Sequence, residues 1–142
     1  MKKLLSAAED ALVVEAIRWV EQHSSGEIRV FIEEFCPDEP LVRAHHLFLK
    51  NGMHHTKYRN GVLIYLAWGT RELAIWGDEG IHKIVGPAFW TLERDVMRQH
   101  FREKRYGEGL ANVVRQVGEQ LNTHFPFEEG DKNELPDEII YG

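Results

Sequence analysis

The 142-residue sequence is poor in the features typical of secreted or membrane-bound proteins. It contains a single cysteine, Cys36, so it cannot form an intrachain disulfide, and this fits a reducing compartment. No stretch approaches the roughly 20 apolar residues of a membrane-spanning helix. The N-terminal segment lacks the unbroken apolar core of a signal peptide, because it is interrupted by Glu9, Asp10, Glu15 and Arg18. We therefore expect a soluble, cytoplasmic protein without membrane insertion.

The sequence also lacks an excess of positive charge. Its 17 Lys and Arg residues stand against 23 Asp and Glu residues, which gives a formal net charge of −6. Non-specific nucleic-acid binding depends on many cationic side chains that neutralise phosphates, so the composition argues against a nucleic-acid partner. Cations and basic partners suit an acidic chain better.

Several catalytic and metal-binding motifs are absent. There is no H-E-x-x-H or Cys-x-x-Cys spacing for zinc, and the adjacent histidine pairs at 45–46 and 54–55 would point in different directions on a helix. Six residues lie between Cys36 and Arg43, one more than in a cysteine-phosphatase loop, and proline and acidic residues stand where that loop needs glycine. There is also no G-x-S-x-G elbow or Walker loop. The sequence therefore predicts no catalytic residue.

The distribution of apolar residues predicts an α/β fold. Ser6 and Glu9 form a capping box at the start of an amphipathic first helix, and the segment "EIRVFIEE" that follows it is a strand. Asp38 is a plausible cap for a second helix. The segments "VLIYLA" and "ELAIW" are a buried strand and its hairpin partner, and helices follow Pro87. Because a helix joins the first two strands, these should be parallel. The prediction is a three-layer α/β/α sandwich around a small mixed sheet that combines a parallel pair with a hairpin.

The length of the chain predicts one domain, which we place at residues 1–126. Residues 127–142 form an acidic C-terminal tail. Three apolar residues of this tail, Leu135, Ile139 and Ile140, are available for docking onto the domain.

The loop "GDEG" after the third strand is the main candidate for a binding site. Asp78 and Glu79 supply carboxylates between two glycines, and the strand directions place Asn60 and Glu27 at the same edge of the sheet. Calcium takes several oxygen ligands on a flexible loop, whereas magnesium demands stricter geometry. These four residues are therefore predicted to bind calcium in preference to magnesium. The alternative interpretation is structural, with Asp78 as the cap of a helix that begins at Glu79.

Three segments together resemble the TPM domain family: "SSGEIRVFIEE", "RNGVLIYLAWGTRELAIWGDEGI" and "FREKRYGEGLANVVRQVGEQL". The resemblance extends over roughly residues 6–125 and is greatest for the short bacterial members. It implies an α/β/α sandwich, calcium binding in some members, and roles in maintaining membrane-protein complexes. It also implies a phosphatase activity in a plant branch. Longer relatives have Gly-Tyr-Gly-Leu-Glu-Gly where this chain has Gly-Asp-Glu-Gly, and many carry a signal peptide and an anchor that are not seen here.

Three functional hypotheses follow. The first is a non-catalytic, calcium-binding module that acts through an unidentified protein partner, as in the maintenance of membrane-protein complexes. The second is a metal-dependent, acid-phosphatase-like enzyme in which Arg59 holds phosphate and Asp78 or Glu79 binds the metal. The third is an adaptor domain whose partner surface consists of the hairpin turn and the acidic tail.

Overall fold

The computed structural model describes residues 4–128 and 137–142. The chain forms the following elements in order: α1 (Ala7–His23), β1 (Glu27–Glu33), α2 (Pro40–Lys50), a 3₁₀ turn (Met53–His55), β2 (Gly61–Ala67), β3 (Glu72–Gly77), α3 (Glu79–Val85), α4 (Pro87–Arg102), α5 (Tyr106–His124) and β4 (Ile140–Tyr141).

The four strands form one mixed sheet in the order β3-β2-β1-β4. β1 is parallel to β2 and to β4, and β2 is antiparallel to β3. Helix α2 connects β1 to β2, so the parallel pair and the hairpin arise as the sequence predicted. The predicted α/β fold with a mixed sheet is confirmed.

Helices cover both faces of the sheet and create two apolar cores. The larger core packs helices α1, α4 and α5 against one face, and includes Val13, Ile17, Val30, Ile64, Met97, Leu110, Val114 and Leu121. The smaller core packs α2 against the other face, and includes Phe31, Phe48, Leu63 and Tyr65. Successive strand residues contribute to opposite cores because side chains alternate across a sheet. The three layers leave β3 at one edge, between α2 and α4.

Helix α2 begins one residue later than the sequence suggested. The cap is Glu39, whose carboxylate accepts a hydrogen bond from the Val42 backbone N–H at 3.1 Å, and Asp38 instead accepts from the Glu39 N–H at 2.8 Å. Because Pro40 occupies the first helical turn, the residue directly before it takes the cap position. The prediction of Asp38 as the cap was wrong.

The C-terminal residues add the fourth strand. Ile140 and Tyr141 pair in parallel with Phe31 and Ile32 of β1, and Ile139 is buried against the larger core. Leu135, which was also predicted to dock, lies outside the described residues. The boundary placed at residue 126 stays a prediction. Within residues 4–128 and 137–142, no helix is both long and apolar enough to cross a membrane.

Candidate functional site

Asp78 lies at the junction of β3 and α3, and its contacts fix both elements. Its backbone N–H donates to the Gly61 carbonyl at 2.9 Å, which ties the end of β3 to the start of β2. Its side-chain Oδ1 accepts from the Glu79 N–H at 2.8 Å and caps α3. The structural role suggested by the sequence is therefore present. The loop must carry glycine at position 80, because a Cβ there would lie 2.0 Å from the Tyr58 carbonyl oxygen.

The Asp78 carboxylate also forms a bidentate ion pair with Arg59. The Arg59 Nε lies 2.6 Å from Asp78 Oδ2, and Nη2 lies 2.9 Å from Oδ1. The third guanidinium nitrogen, Nη1, lies 3.3 Å from Glu79 Oε1. The hydrogen bonds to Asp78 raise the pKa of Arg59 above its ordinary value. Both loop carboxylates therefore converge on one cationic group.

The two carboxylates differ in their exposure to water. The side chain of Asp78 is 6% exposed, whereas that of Glu79 is 72% exposed and that of Arg59 is 43% exposed. Arg59 itself adopts a left-handed backbone conformation with φ of 52°, which non-glycine residues take up at a cost. This conformation places the guanidinium over the cap of α3.

Asn60 is fully buried beside this loop but is directed to a different neighbour. Its Nδ2 donates to Ser25 Oγ at 3.4 Å, and its backbone N–H donates to Thr56 Oγ1 at 3.1 Å. Its Oδ1 is buried and accepts no hydrogen bond from the part of the chain that the structure describes. Asn60 therefore links the starts of β1 and β2.

Glu27 is buried near Glu21 of helix α1. Burial, followed by the nearby Glu27 carboxyl, raises the pKa of Glu21 well above its ordinary value, and a hydrogen bond joins the two side chains. The Ile28 backbone N–H donates to Glu21 Oε1 at 3.3 Å. The four residues predicted as calcium ligands thus fall into three groups. Asp78 and Glu79 lie around Arg59, Asn60 is directed to Ser25, and Glu27 is paired with an acid of α1.

Arg59 is the residue whose role sequence reasoning missed. The sequence suggests that Arg59 holds a phosphate, whereas in the structure it forms an ion pair with Asp78. The strand directions correctly place Asp78 close to Arg59 and Asn60. The sequence did contain a signal for this ion pair, since one arginine and two adjacent acids stand on segments that were predicted to meet. Among the described residues, no group of three or more histidine, cysteine, aspartate or glutamate side chains is arranged to hold a metal ion.

His45, His54, His55 and Cys36 are engaged in contacts with other residues. The His45 ring stacks on Trp76 with centroids 3.9 Å apart, and His54 lies against His55 at the same distance. The Cys36 thiol donates to the Asp38 carbonyl at 2.9 Å, and burial raises its pKa. A nucleophilic cysteine needs a lowered pKa, and the pKa of Cys36 is shifted in the opposite direction.

A comparison with protein families identifies the chain. A sequence model described as the TPM domain matches residues 1–120, which is most of its length. The chain belongs to the TPM domain family. The predicted resemblance is confirmed. A comparison with curated protein sequences returned no match.

Solved structures agree with this TPM domain assignment. BA42, a protein from the psychrophilic bacterium Bizionia argentinensis, is 35% identical and superposes with a TM-score of 0.89, covering 100% of this chain and 98% of its own. The N-terminal domain of a P. gingivalis protein is 23% identical, with a TM-score of 0.70 over 89% of this chain and 83% of its own. The N-terminal domain of cg2496 from Corynebacterium glutamicum is 18% identical, with a TM-score of 0.64 over 82% and 74%. The last two show the fold alone.

Proposed function

We propose that this TPM domain is a non-catalytic module that binds a divalent cation, calcium in preference to magnesium, and acts through a protein partner. The observation that carries the proposal is the convergence of the Asp78 and Glu79 carboxylates on a single cationic group at the edge of the sheet. The net charge of −6 and the family membership support it.

The chemistry of the donor set fits a hard cation under one condition. Calcium takes six to eight oxygen ligands, and the loop offers two carboxylates that water and backbone carbonyls would have to complete. The Arg59 guanidinium now occupies the position between these carboxylates, so it must withdraw before a metal ion binds. Its side chain is 43% exposed and can turn into solvent. Arg59 is therefore expected to compete with the cation.

This competition provides a sharp test by calorimetric calcium titration. Asp78→Asn should abolish binding because it removes the more buried carboxylate charge. Arg59→Gln should strengthen binding because it removes the competitor. Arg71→Gln is a matched control, since Arg71 shares the left-handed backbone conformation but lies in the hairpin turn. If the wild type binds no calcium and Arg59→Gln binds none either, the cation part of the proposal fails.

The alternative is the metal-dependent, acid-phosphatase-like enzyme. It needs the Arg59 guanidinium to hold a phosphate, and in the structure that group holds Asp78 through two nitrogens. We place this alternative second for that reason. Turnover of a generic phosphomonoester, with and without calcium or magnesium, tests it: activity that disappears in both Arg59→Gln and Asp78→Asn would restore it.

A further inference from the structure

Strand β3 is the open edge of the sheet. It pairs with β2 on one side, and among the described residues no strand lies on its other side. The hydrogen bond from the Asp78 N–H to the Gly61 carbonyl fixes which backbone groups point inward. In an antiparallel pair the bonded residues alternate, so Ala74 and Trp76 face β2. The backbone groups of Leu73 and Ile75 therefore point away from the sheet.

These outward groups lie in a groove of about 680 Å³ between helices α2 and α4, which we call the β3 groove. All six residues of β3 line it. The outward N–H and C=O groups form no backbone hydrogen bond with the described residues. A row of unpaired backbone groups along an accessible edge is a template for another strand.

The two walls of the groove differ in chemistry. The α2 wall is apolar at its centre and at its far end, where the His45 ring stacks on Trp76 and Leu49 is 43% exposed. The α4 wall carries Arg94 and Arg98. Both arginines contact Asp95 at long distances, Arg94 through Nη2 at 3.6 Å and Arg98 through Nη1 at 3.9 Å. The buried Nε of Arg94 has no acceptor in the described part of the chain. The α4 wall therefore presents two arginines that share one acid, Asp95, which leaves it a net positive charge.

We propose that the β3 groove binds an extended peptide segment of a partner protein, which adds to β3 as a further strand. Side chains of an added strand alternate between the two faces of the sheet, so apolar residues of the peptide face α2 and carboxylates face Arg94 and Arg98. This inference rests on the part of the proposed function that has the domain act through a protein partner. It does not depend on the cation.

The probe is a six-residue acetylated and amidated peptide with alternating valine and glutamate, titrated into the isotopically labelled chain and followed by NMR. The expected result is that the largest amide shifts occur at Leu73 and Ile75, together with the Trp76 and Trp90 indole signals. A peptide with the same side chains and N-methyl groups on alternate backbone nitrogens should bind at least ten-fold more weakly, because it cannot complete the ladder. Equal binding of both peptides would overturn the proposal.

A valine–lysine peptide tests the charge of the α4 wall. The net charge of −6 attracts this peptide to the whole molecule, so preference for the glutamate peptide must come from the groove. Arg98→Gln should weaken the binding of the glutamate peptide several-fold. Arg102 lies one turn further along α4 and lines another cavity. Arg102→Gln should therefore leave the affinity for the glutamate peptide unchanged. Preference for lysine, or equal effects of the two substitutions, would overturn the assignment of the occupant.

Two measurements separate this inference from its alternatives. Sedimentation velocity of the chain alone tests whether a second copy occupies the groove, and a dimer that β3 peptides disperse would overturn the proposed partner. Titration in calcium and in a chelator tests independence from the cation. Peptide binding that persists in the chelator, together with absent calcium binding, would leave this inference standing and remove only the cation.

Discussion

Two pairs of neighbouring carboxyl groups lie at the same end of the sheet, where β1 and β2 begin and β3 ends, and their charges are balanced in different ways. At the loop, the Asp78 and Glu79 carboxylates form ion pairs with the Arg59 guanidinium. At the start of β1, burial and then the neighbouring Glu27 carboxyl raise the pKa of Glu21, so that Glu21 holds a proton. Carboxyl groups are thus balanced by an arginine in one place and by a bound proton in the other.

The difference shows that carboxylate density alone does not define a cation site. The prediction from sequence grouped Glu27 with Asp78 and Glu79 because all three are acids at the same end of the sheet. The structure separates them, since Glu27 lies against an acid of α1 and the loop acids lie against an arginine. Three substitutions test this contrast, and they are taken from the largest expected effect to the smallest.

Glu21→Gln should increase the stability of the folded protein at neutral pH by about 2 kcal/mol. Glutamine reproduces the protonated carboxyl group, because its oxygen accepts from Ile28 and its amide donates to Glu27. In the wild type the folded state binds a proton that the unfolded chain has lost, so stability falls as pH rises above the ordinary value of 4.5. Urea denaturation at several pH values measures this effect.

The control for this prediction is Glu15→Gln, on the exposed side of the same helix. It should change the stability little and leave its pH dependence intact. Both pH 5 and pH 8 lie above the ordinary pKa of 4.5. In Glu21→Gln the decline in stability between these two pH values should become clearly shallower than in the wild type. An unchanged pH profile would mean that the two acids do not share a proton.

Asp78→Ala should reduce stability by about 1 kcal/mol or slightly more, because it removes the cap of α3. Asp78→Asn is the matched variant, since asparagine caps a helix about as well as aspartate but carries no charge. The difference between the two variants measures the cap, and the difference between Asp78→Asn and the wild type measures the charge. Identical stabilities of Asp78→Ala and the wild type would show that the loop holds its shape without Asp78.

Glu79→Gln should change stability by less than about 0.5 kcal/mol, as expected of an exposed surface position. Its effect should appear instead in calcium titrations, as a weaker affinity than that of the wild type. The comparison between the two loop acids would fail if Glu79→Gln unfolded the protein as readily as Asp78→Ala.

Local patterns in the sequence predicted most of the fold. The capping box of Ser6 and Glu9 involves residues three apart, and both of its hydrogen bonds are present. The hairpin of β2 and β3 also follows from adjacent segments. Strand β4 was not predicted, and only Ile140 of its two residues was among the three apolar residues expected to dock. Its pairing with β1 joins residues more than 100 positions apart in the chain. Such pairing depends on packing that no local pattern records.

The candidate site was predictable in position but not in its contacts. Strand directions placed Asp78 near Arg59 and Asn60, and the structure places the Arg59 guanidinium on Asp78. The directions of the side chains were not predictable, since Asn60 is directed to Ser25 and Glu27 to Glu21. These directions depend on how α1 and the start of β1 pack together, which is a tertiary property.

The two edges of the sheet differ in how readily they can pair with a further strand. At the β4 edge the outermost strand has two residues, and strands this short provide little template for further pairing. At the β3 edge a strand of six residues is accessible through one groove. Because the two edges differ in length, copies of this chain are not expected to stack one edge on the other in an open-ended series. Association through this sheet is therefore expected to give complexes of fixed one-to-one composition, and not open-ended fibres.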